Sequence, residues 1–202
     1  LFEVDHLTIG FPENGQINKV VDDISFEIGK GEILGVVGES GSGKSMTALA
    51  AMGLLSSDAQ MMGGHIRLDG RDILELSKDA RSELQGNEMS MIFQEPMTSL
   101  NPVMKIGRQV GESLLLHTKL DKEDIRARVI DALKDVGLRE PEALYDKYPH
   151  ELSGGMRQRV MIAQAMICSP KLLIADEPTT ALDVIVQDQI MRLLGRLHEE
   201  KG

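Results

Sequence analysis

The chain predicts an α/β fold with a mainly parallel sheet, an antiparallel β edge subdomain and an inserted helical subdomain. Three observations carry this. Short apolar runs alternate with helical periodicities, the pattern of strands joined by crossover helices. The first two strand-like stretches are separated only by a loop at Pro12, Asn14 and Gly15, which suits an antiparallel pair. Residues 95–152 then break the alternation with a mostly helical stretch, entered through a loop that holds Pro96, Ser99, Asn101 and Pro102.

Taken in order, residues 2–9 mix apolar and polar positions in strand fashion. Ile24, Phe26 and Ile28 alternate with Ser25 and Glu27, a half-buried strand. Gly29-Lys30-Gly31 is a turn, and residues 32–37 read as a buried strand running into a glycine-rich loop. Residues 44–55 are small and apolar throughout and predict a helix. Ile66 and Leu68 alternate before an Asp69-Gly70 turn, and residues 89–93 are a short apolar strand. Asp121 can cap a helix with Asp124 in its first turn. Ile125, Val129, Ala132, Leu133 and Val136 fall on one face of that helix, and Gly137 can end it. Residues 156–168 predict a helix stopped by Pro170. Residues 171–175 predict a buried strand ending in two carboxylates. Val186, Ile190, Leu193, Leu194 and Leu197 share the face of a last helix.

Composition bounds the function. The 202 residues, 42% hydrophobic, exclude wholesale disorder and fibrous states. No apolar run approaches the roughly 18 residues of a membrane span. Residues 1–10 hold no basic stretch leading into an apolar segment, so no signal peptide is expected there, although the sequence starts without Met. The single cysteine, Cys168, excludes an internal disulfide framework and a cysteine zinc cluster. It predicts a packed thiol in a reducing compartment. A net charge of −10 argues against electrostatic capture of nucleic acid, and 3% aromatics without Trp argue against a base-stacking surface.

The chemistry begins at Gly38-Glu39-Ser40-Gly41-Ser42-Gly43-Lys44-Ser45. This is G-x-x-x-x-G-K-[ST] between an expected strand and an expected helix. Glycines let the backbone curl until its N–H groups face phosphate oxygens, and the following helix adds a positive dipole end. Lys44 can reach the β- and γ-phosphates, and the Ser45 hydroxyl can hold Mg²⁺. The NAD-type G-x-G-x-x-G spacing is absent. The second signal is residues 172–177, an apolar run ending in Asp176-Glu177. Read alone, such a pair is a solvated turn. Beside a phosphate loop, Asp176 suits a Mg²⁺ site, and Glu177 can orient or deprotonate an attacking water. The third is Leu152-Ser153-Gly154-Gly155-Met156, which is a helix cap as readily as a second anion site.

With these motifs in order, the chain resembles the nucleotide-binding subunits of ABC (ATP-binding cassette) transporters over essentially its whole length. The phosphate loop resembles Walker A, residues 172–177 resemble Walker B, and residues 152–156 are similar to the L-S-G-G-Q signature. Gln94 sits as the Q-loop glutamine does, and Thr180-Ala181-Leu182-Asp183 resembles the D-loop. Phe11 stands in the place of the adenine-stacking aromatic, although the residues 12–16 insertion blurs that alignment. Residues 91–102, Tyr148-Pro149-His150 and Met156 are similar to importer ATPases for dipeptides, oligopeptides and nickel.

The resemblance implies a P-loop NTPase core of residues 1–94 and 153–202, C-terminally truncated, with 95–152 as the helical subdomain leading into the signature. It implies an ATPase using ATP and Mg²⁺, with Glu177 and Gln94 catalytic. Phe11, residues 38–45, Ser153, Gly154, Gly155 and Asp183 bind nucleotide, and Ser45, Gln94 and Asp176 bind metal. Two cassettes sandwich two ATP molecules, so that Ser153 and Gly155 serve the partner's nucleotide. The further partners implied are integral membrane permeases and, indirectly, an extracellular substrate-binding protein, with no nucleic acid, at the cytoplasmic face of the membrane. The family's switch histidine follows a strand beyond the D-loop, and the sequence stops at Gly202 before one. His198 lies on the last amphipathic helix, and His6, His65, His117 and His150 have other contexts. A piece of a longer chain, weak in hydrolysis by itself, is therefore expected.

Other readings explain less. Soluble cassette ATPases acting on nucleic acid or ribosomes commonly carry coiled-coil insertions or paired cassettes, neither of which is seen. A non-catalytic regulatory module sits badly with Glu177 and an intact signature. A small-molecule kinase leaves residues 152–156 and Gln94 unexplained.

Overall fold

The structure is a computed structural model that describes residues 1–13, 15–94, 99–180 and 182–201. It forms two compact units, Leu1–Ser82 and Glu83–Gly202.

The first unit is built on β1 (Phe2–Glu13), β2 (Gln16–Ile28), α1 (Lys44–Met52), β3 (Gln60–Leu68) and β4 (Arg71–Asp72). The strands make one antiparallel sheet in the order β2-β1-β3-β4. The expected antiparallel edge is therefore present and larger than the first two strands. Alternation places Phe2 opposite Leu68 and Val4 opposite Ile66, and all four side chains are buried, the cross-strand pairing that stabilises a sheet. On β2, Ile24, Phe26 and Ile28 are half-buried between exposed neighbours, as their alternation predicts. Of the loop expected at Pro12, Asn14 and Gly15, Pro12 is instead paired with Ile17, and Asn14 lies outside the described residues. Asp69 and Gly70 form the two-residue turn between β3 and β4, with both φ values positive.

One predicted strand does not form. Residues 32–37 make no ladder among the described residues, and Ile33, Val36 and Val37 are 69%, 60% and 96% exposed. The run has the composition of a strand buried on both faces. A strand nevertheless exists only through a neighbour's hydrogen bonds and packing, and the sheet of this unit is completed without it. The helix expected over 44–55 ends at Met52, where the Gly53 N–H turns back to the Ala50 carbonyl and the Leu54 N–H to that of Leu49.

After α2 (Lys78–Leu84), the second unit opens with β5 (Met89–Ile92). Helices α3 (Ile106–Val110), α4 (Glu112–His117), α5 (Lys122–Asp135) and α6 (Pro141–Tyr145) follow. A 3₁₀ turn (Pro149–Glu151) then leads to α7 (Gly154–Met166), β6 (Leu172–Ala175) and α8 (Val184–Lys201). Strands β5 and β6 pair in parallel, Met89 opposite Leu172 and Ile92 opposite Ala175. This is the parallel ladder between named strands among the described residues, and the whole helical stretch is its crossover. Strand β6 is less buried than its composition implies: Leu172 is covered, Leu173 and Ile174 half-covered, Ala175 exposed.

Amphipathic faces assemble the core of this unit. Ile125, Val129, Leu133 and Val136 of the α5 stretch pack with Val160 and Ile162 of α7 and with Ile190, Leu193 and Leu197 of α8. Helix α5 begins where predicted, the Asp121 carboxylate accepting the N–H groups of Glu123 and Asp124 at 2.9 Å. Buried Gln109 shapes the loop before α3: its amide donates to the carbonyls of Asn101 and Met104, and its oxygen accepts the Asn101 N–H. Cys168 is half-buried, and burial raises its thiol pKa.

Asp121→Ala is expected to lower stability by about 1 kcal/mol through loss of two capping bonds, with Asp121→Asn near neutral. Denaturant unfolding of the two variants beside the parent checks this; equal loss in both would mean that the cap is not what Asp121 supplies.

Candidate functional site

In the first unit, the glycine-rich loop bends before α1. Gly41 and Gly43 have φ of 81° and 89°. At Gly43 a Cβ would also stand 2.7 Å from the Val20 carbonyl of β2, so this position needs glycine for both conformation and space. The Ser42 N–H donates to the Glu39 carbonyl at 3.2 Å. Lys44 folds back over the loop and donates to the carbonyls of Gly38 and Glu39 at 2.7 and 2.9 Å. The rest of the predicted loop, including Ser40, is exposed, and Ser45 lies in the first turn of α1. Helices α5, α7 and α8 each start at a side-chain cap. Helix α1 starts at Gly43 with none and carries no acid in its first turn. A lysine amine and an uncapped helix N-terminus fit a polyphosphate. Phe11 is half-buried on β1, opposite Asn18.

In the second unit, the parallel strands deliver the acidic residues. Gln94 follows the end of β5, and Asp176 and Glu177 follow the end of β6. The Asp176 N–H continues the ladder to the Ile92 carbonyl at 3.0 Å. Gln94 Nε2 then donates to Glu177 Oε2 at 2.9 Å, joining residues 83 apart in sequence. The Thr180 hydroxyl donates to the same oxygen at 2.9 Å. Asp176 and Gln94 offer oxygen atoms suited to Mg²⁺. Glu177 itself sits at φ 45°, a strained conformation for a side-chain-bearing residue.

Ser153 caps α7, its hydroxyl accepting the Met156 N–H at 3.3 Å, so the cap reading of Ser-Gly-Gly is realised. Gly154 and Gly155 open the helix, and a Cβ at Gly155 would stand 3.1 Å from Val186 of α8. Asp183 is the N-cap of α8, accepting from Ile185 and Val186 at 3.1 and 3.0 Å.

Two roles escaped the sequence reading. The Thr180 bond to Glu177 depends on a turn whose shape no local pattern announces. Gln158, buried in α7, donates to the Pro178 carbonyl at 2.6 Å, and a polar residue on a packed helix face was the available signal. Residues 95–98 of the importer-like string and Ala181 of the D-loop string lie outside the described residues.

Comparison with known proteins gives one answer. The family profile described as ABC transporter matches residues 21–180. The oligopeptide transport ATP-binding protein AppD of Bacillus subtilis is 50% identical over 195 residues, covering 96% of this chain and 60% of AppD. The dipeptide transport ATP-binding protein DppD of Escherichia coli is 48% identical over 202 residues, covering 100% of this chain and 62% of DppD. The chain thus spans about three-fifths of the length of these curated relatives. Among solved structures, the dimeric ATP-binding cassette MJ0796 bound to ADP and Pi superposes with TM-score 0.88 at 28% identity, over 100% of this chain and 84% of that one. CbiO1 from Clostridium perfringens, part of the ABC transporter complex cbiONQ, gives 0.78 at 30% identity, over 99% and 74%.

Gly41→Ala, with nothing near its Cβ, is expected to lose only the cost of a left-handed alanine, about 1–2 kcal/mol. Gly43→Ala is expected to lose more, because the Val20 carbonyl must also move. Unfolding free energies of the two variants in the full-length protein test the order; equal losses would mean that space at Gly43 is not limiting.

Proposed function

The chain belongs to the ABC transporter family, and on that premise we propose that it is the ATP-binding and hydrolysing part of an importer subunit, with di- or oligopeptides or related molecules as cargo. The observation that carries the reading is the Gln94–Glu177 hydrogen bond at the ends of two parallel strands, in a chain that also bears a phosphate loop crowned by Lys44. AppD and DppD, an oligopeptide and a dipeptide transport ATP-binding protein, support the cargo class.

In this reading residues 38–45 cradle the phosphates of ATP and Phe11 stacks on the adenine. Lys44 exchanges its loop carbonyls for phosphate oxygens. Ser45, Gln94 and Asp176 are the proposed Mg²⁺ ligands. When bound, the metal neutralises charge that develops on the transferring phosphoryl group. Glu177 orients the attacking water and accepts its proton. For that its carboxylate must exchange at least one of its present donors, Gln94 or Thr180, for water.

Ser153, Gly154 and Gly155 present the start of α7 to the γ-phosphate bound by a partner cassette, and Asp183 lies in the dimer-facing D-loop. The dimeric cassette MJ0796 supports such a pair. Residues 1–94 and 153–202 are the proposed ATP-binding core, and 95–152 the helical subdomain that receives permease subunits. Among the described residues no helix is long and apolar enough to cross a membrane. Attachment at the cytoplasmic face is proposed to come through those permeases, with an extracellular substrate-binding protein supplying cargo to them.

Two variants of the full-length protein test the reading. Lys44→Ala is expected to abolish ATP binding in a titration with a fluorescent ATP analogue; unchanged affinity would remove the loop from the site. Glu177→Gln is expected to keep binding while turnover falls by about 10²- to 10⁴-fold, leaving the closed dimer trapped with ATP. Near-normal turnover would remove Glu177 from its role.

A further inference from the structure

The segment that carries Glu177 is held by two glutamines from neighbouring helices. Gln158 Nε2 of α7 donates to the Pro178 carbonyl at 2.6 Å. Gln187 Nε2 of α8 donates to the carbonyls of Thr179 and Leu182, both at 3.0 Å. Three carbonyls that follow Glu177, those of Pro178, Thr179 and Leu182, are thus held by side-chain amides. Gln158 is fully buried, and its Oε1 has no hydrogen-bond partner among the described residues.

Packing does not explain this arrangement. An apolar side chain of the same length would fill the space without burying an acceptor that lacks a donor. What the amide does supply is restraint at a strained place. Glu177 stands at φ 45° directly before Pro178, where a residue is driven towards extended conformations. Such a backbone persists only where its surroundings over-determine it, and such sites cluster where strain is used. On the N-terminal side, the Asp176 N–H is held by the Ile92 carbonyl at 3.0 Å. On the C-terminal side the proline ring fixes its own φ, and the Gln158 amide anchors the carbonyl that follows. Release of that carbonyl would let the peptide between Pro178 and Thr179 rotate, loosening the turn that carries Thr180, the second donor to the Glu177 carboxylate.

Gln158 also lies on the second turn of the helix that Ser153 caps. Its neighbours fix α7 to other elements: Arg157 donates to the Pro149 carbonyl at 2.8 Å, and Arg159 to the Val136 carbonyl at 2.7 Å. The helix is therefore a rigid mount rather than a loose arm.

We propose that Gln158, backed by Gln187, is a positioning residue for Glu177, holding the backbone after it so that the carboxylate keeps its working direction. The inference rests on the proposed role of Glu177. It also makes the start of α7 and the direction of Glu177 one mechanical unit, so that displacement of the Ser153-Gly154-Gly155 end moves the hydrolytic carboxylate of the same chain.

The test uses the full-length protein assembled with its membrane partners, and Gln158→Met, which keeps length and loses the donor. Turnover is expected to fall by about 10- to 100-fold, with KM and ATP affinity within about twofold of the parent. The melting temperature should hold or rise, because the buried acceptor is removed with the donor. In a Glu177→Gln background the same change should cost almost nothing further, since it acts through Glu177. If Gln158→Met does not fold, Gln187→Met takes its place with the same readouts. Normal turnover by the substituted protein beside an inactive Glu177→Gln overturns the inference alone. So does a loss that multiplies with Glu177→Gln, or one that follows a lowered melting temperature. Near-normal turnover by Glu177→Gln itself overturns the site reading, and this inference with it.

Discussion

The parallel pairing of β5 with β6 is the constraint on which the second unit depends. Parallel strands cannot be joined by a tight turn, and here the crossover contains the entire helical stretch between Ile92 and Leu172. The pairing fixes where both strands end. Because Ile92 lies opposite Ala175, the residues just beyond them, Gln94 on one side and Asp176-Glu177 on the other, emerge together. In open α/β sheets the carboxyl ends of the strands are where ligands bind. A slip of register would separate the two side chains whatever their identity.

Around that edge the helices serve as supports. Helix α7 is anchored through consecutive side chains to the 3₁₀ turn, to the segment after β6 and to the end of α5. Helix α8 is capped by Asp183 and returns Gln187 to the same segment. Ser153 and Asp183, which sequence reasoning assigns to nucleotide, therefore already serve as helix caps. The two uses are compatible: a cap defines which N–H groups of the first turn remain directed outward, and these are the groups an anion would meet. The glycine-rich loop before α1 is built oppositely. Helix α1 begins without a side-chain cap and with a lysine amine folded over the preceding carbonyls, a local concentration of donors without an acid in the first turn.

Much of this was legible from residues alone. The α5 helix, its Asp121 cap and its apolar face are local features, since capping and a 3.6-residue period act within a few turns of chain. The antiparallel edge followed from alternation and turn residues. The failure at residues 32–37 has the opposite character. Ile33, Leu34, Val36 and Val37 have the apolar composition of a buried strand, but pairing is decided by a neighbour distant in sequence, and no described strand takes that role. The partial exposure of β6 has the same cause: apolar composition states what a strand can bury, not what is present to cover it.

By itself the sequence determined the glycine-rich bend before α1, the acidic pair, the Ser-Gly-Gly cap and the helices with one apolar face. Each is written in contiguous residues and acts through short-range sterics, hydrogen bonds and dipoles. Only the tertiary structure decided that Gln94 and Thr180 share one oxygen of Glu177 and that Gln158 secures the carbonyl of Pro178. It also decided that Glu177 is held at a positive φ. Those outcomes depend on strand register and on the packing of α7 and α8, which join residues too far apart for any local pattern to specify.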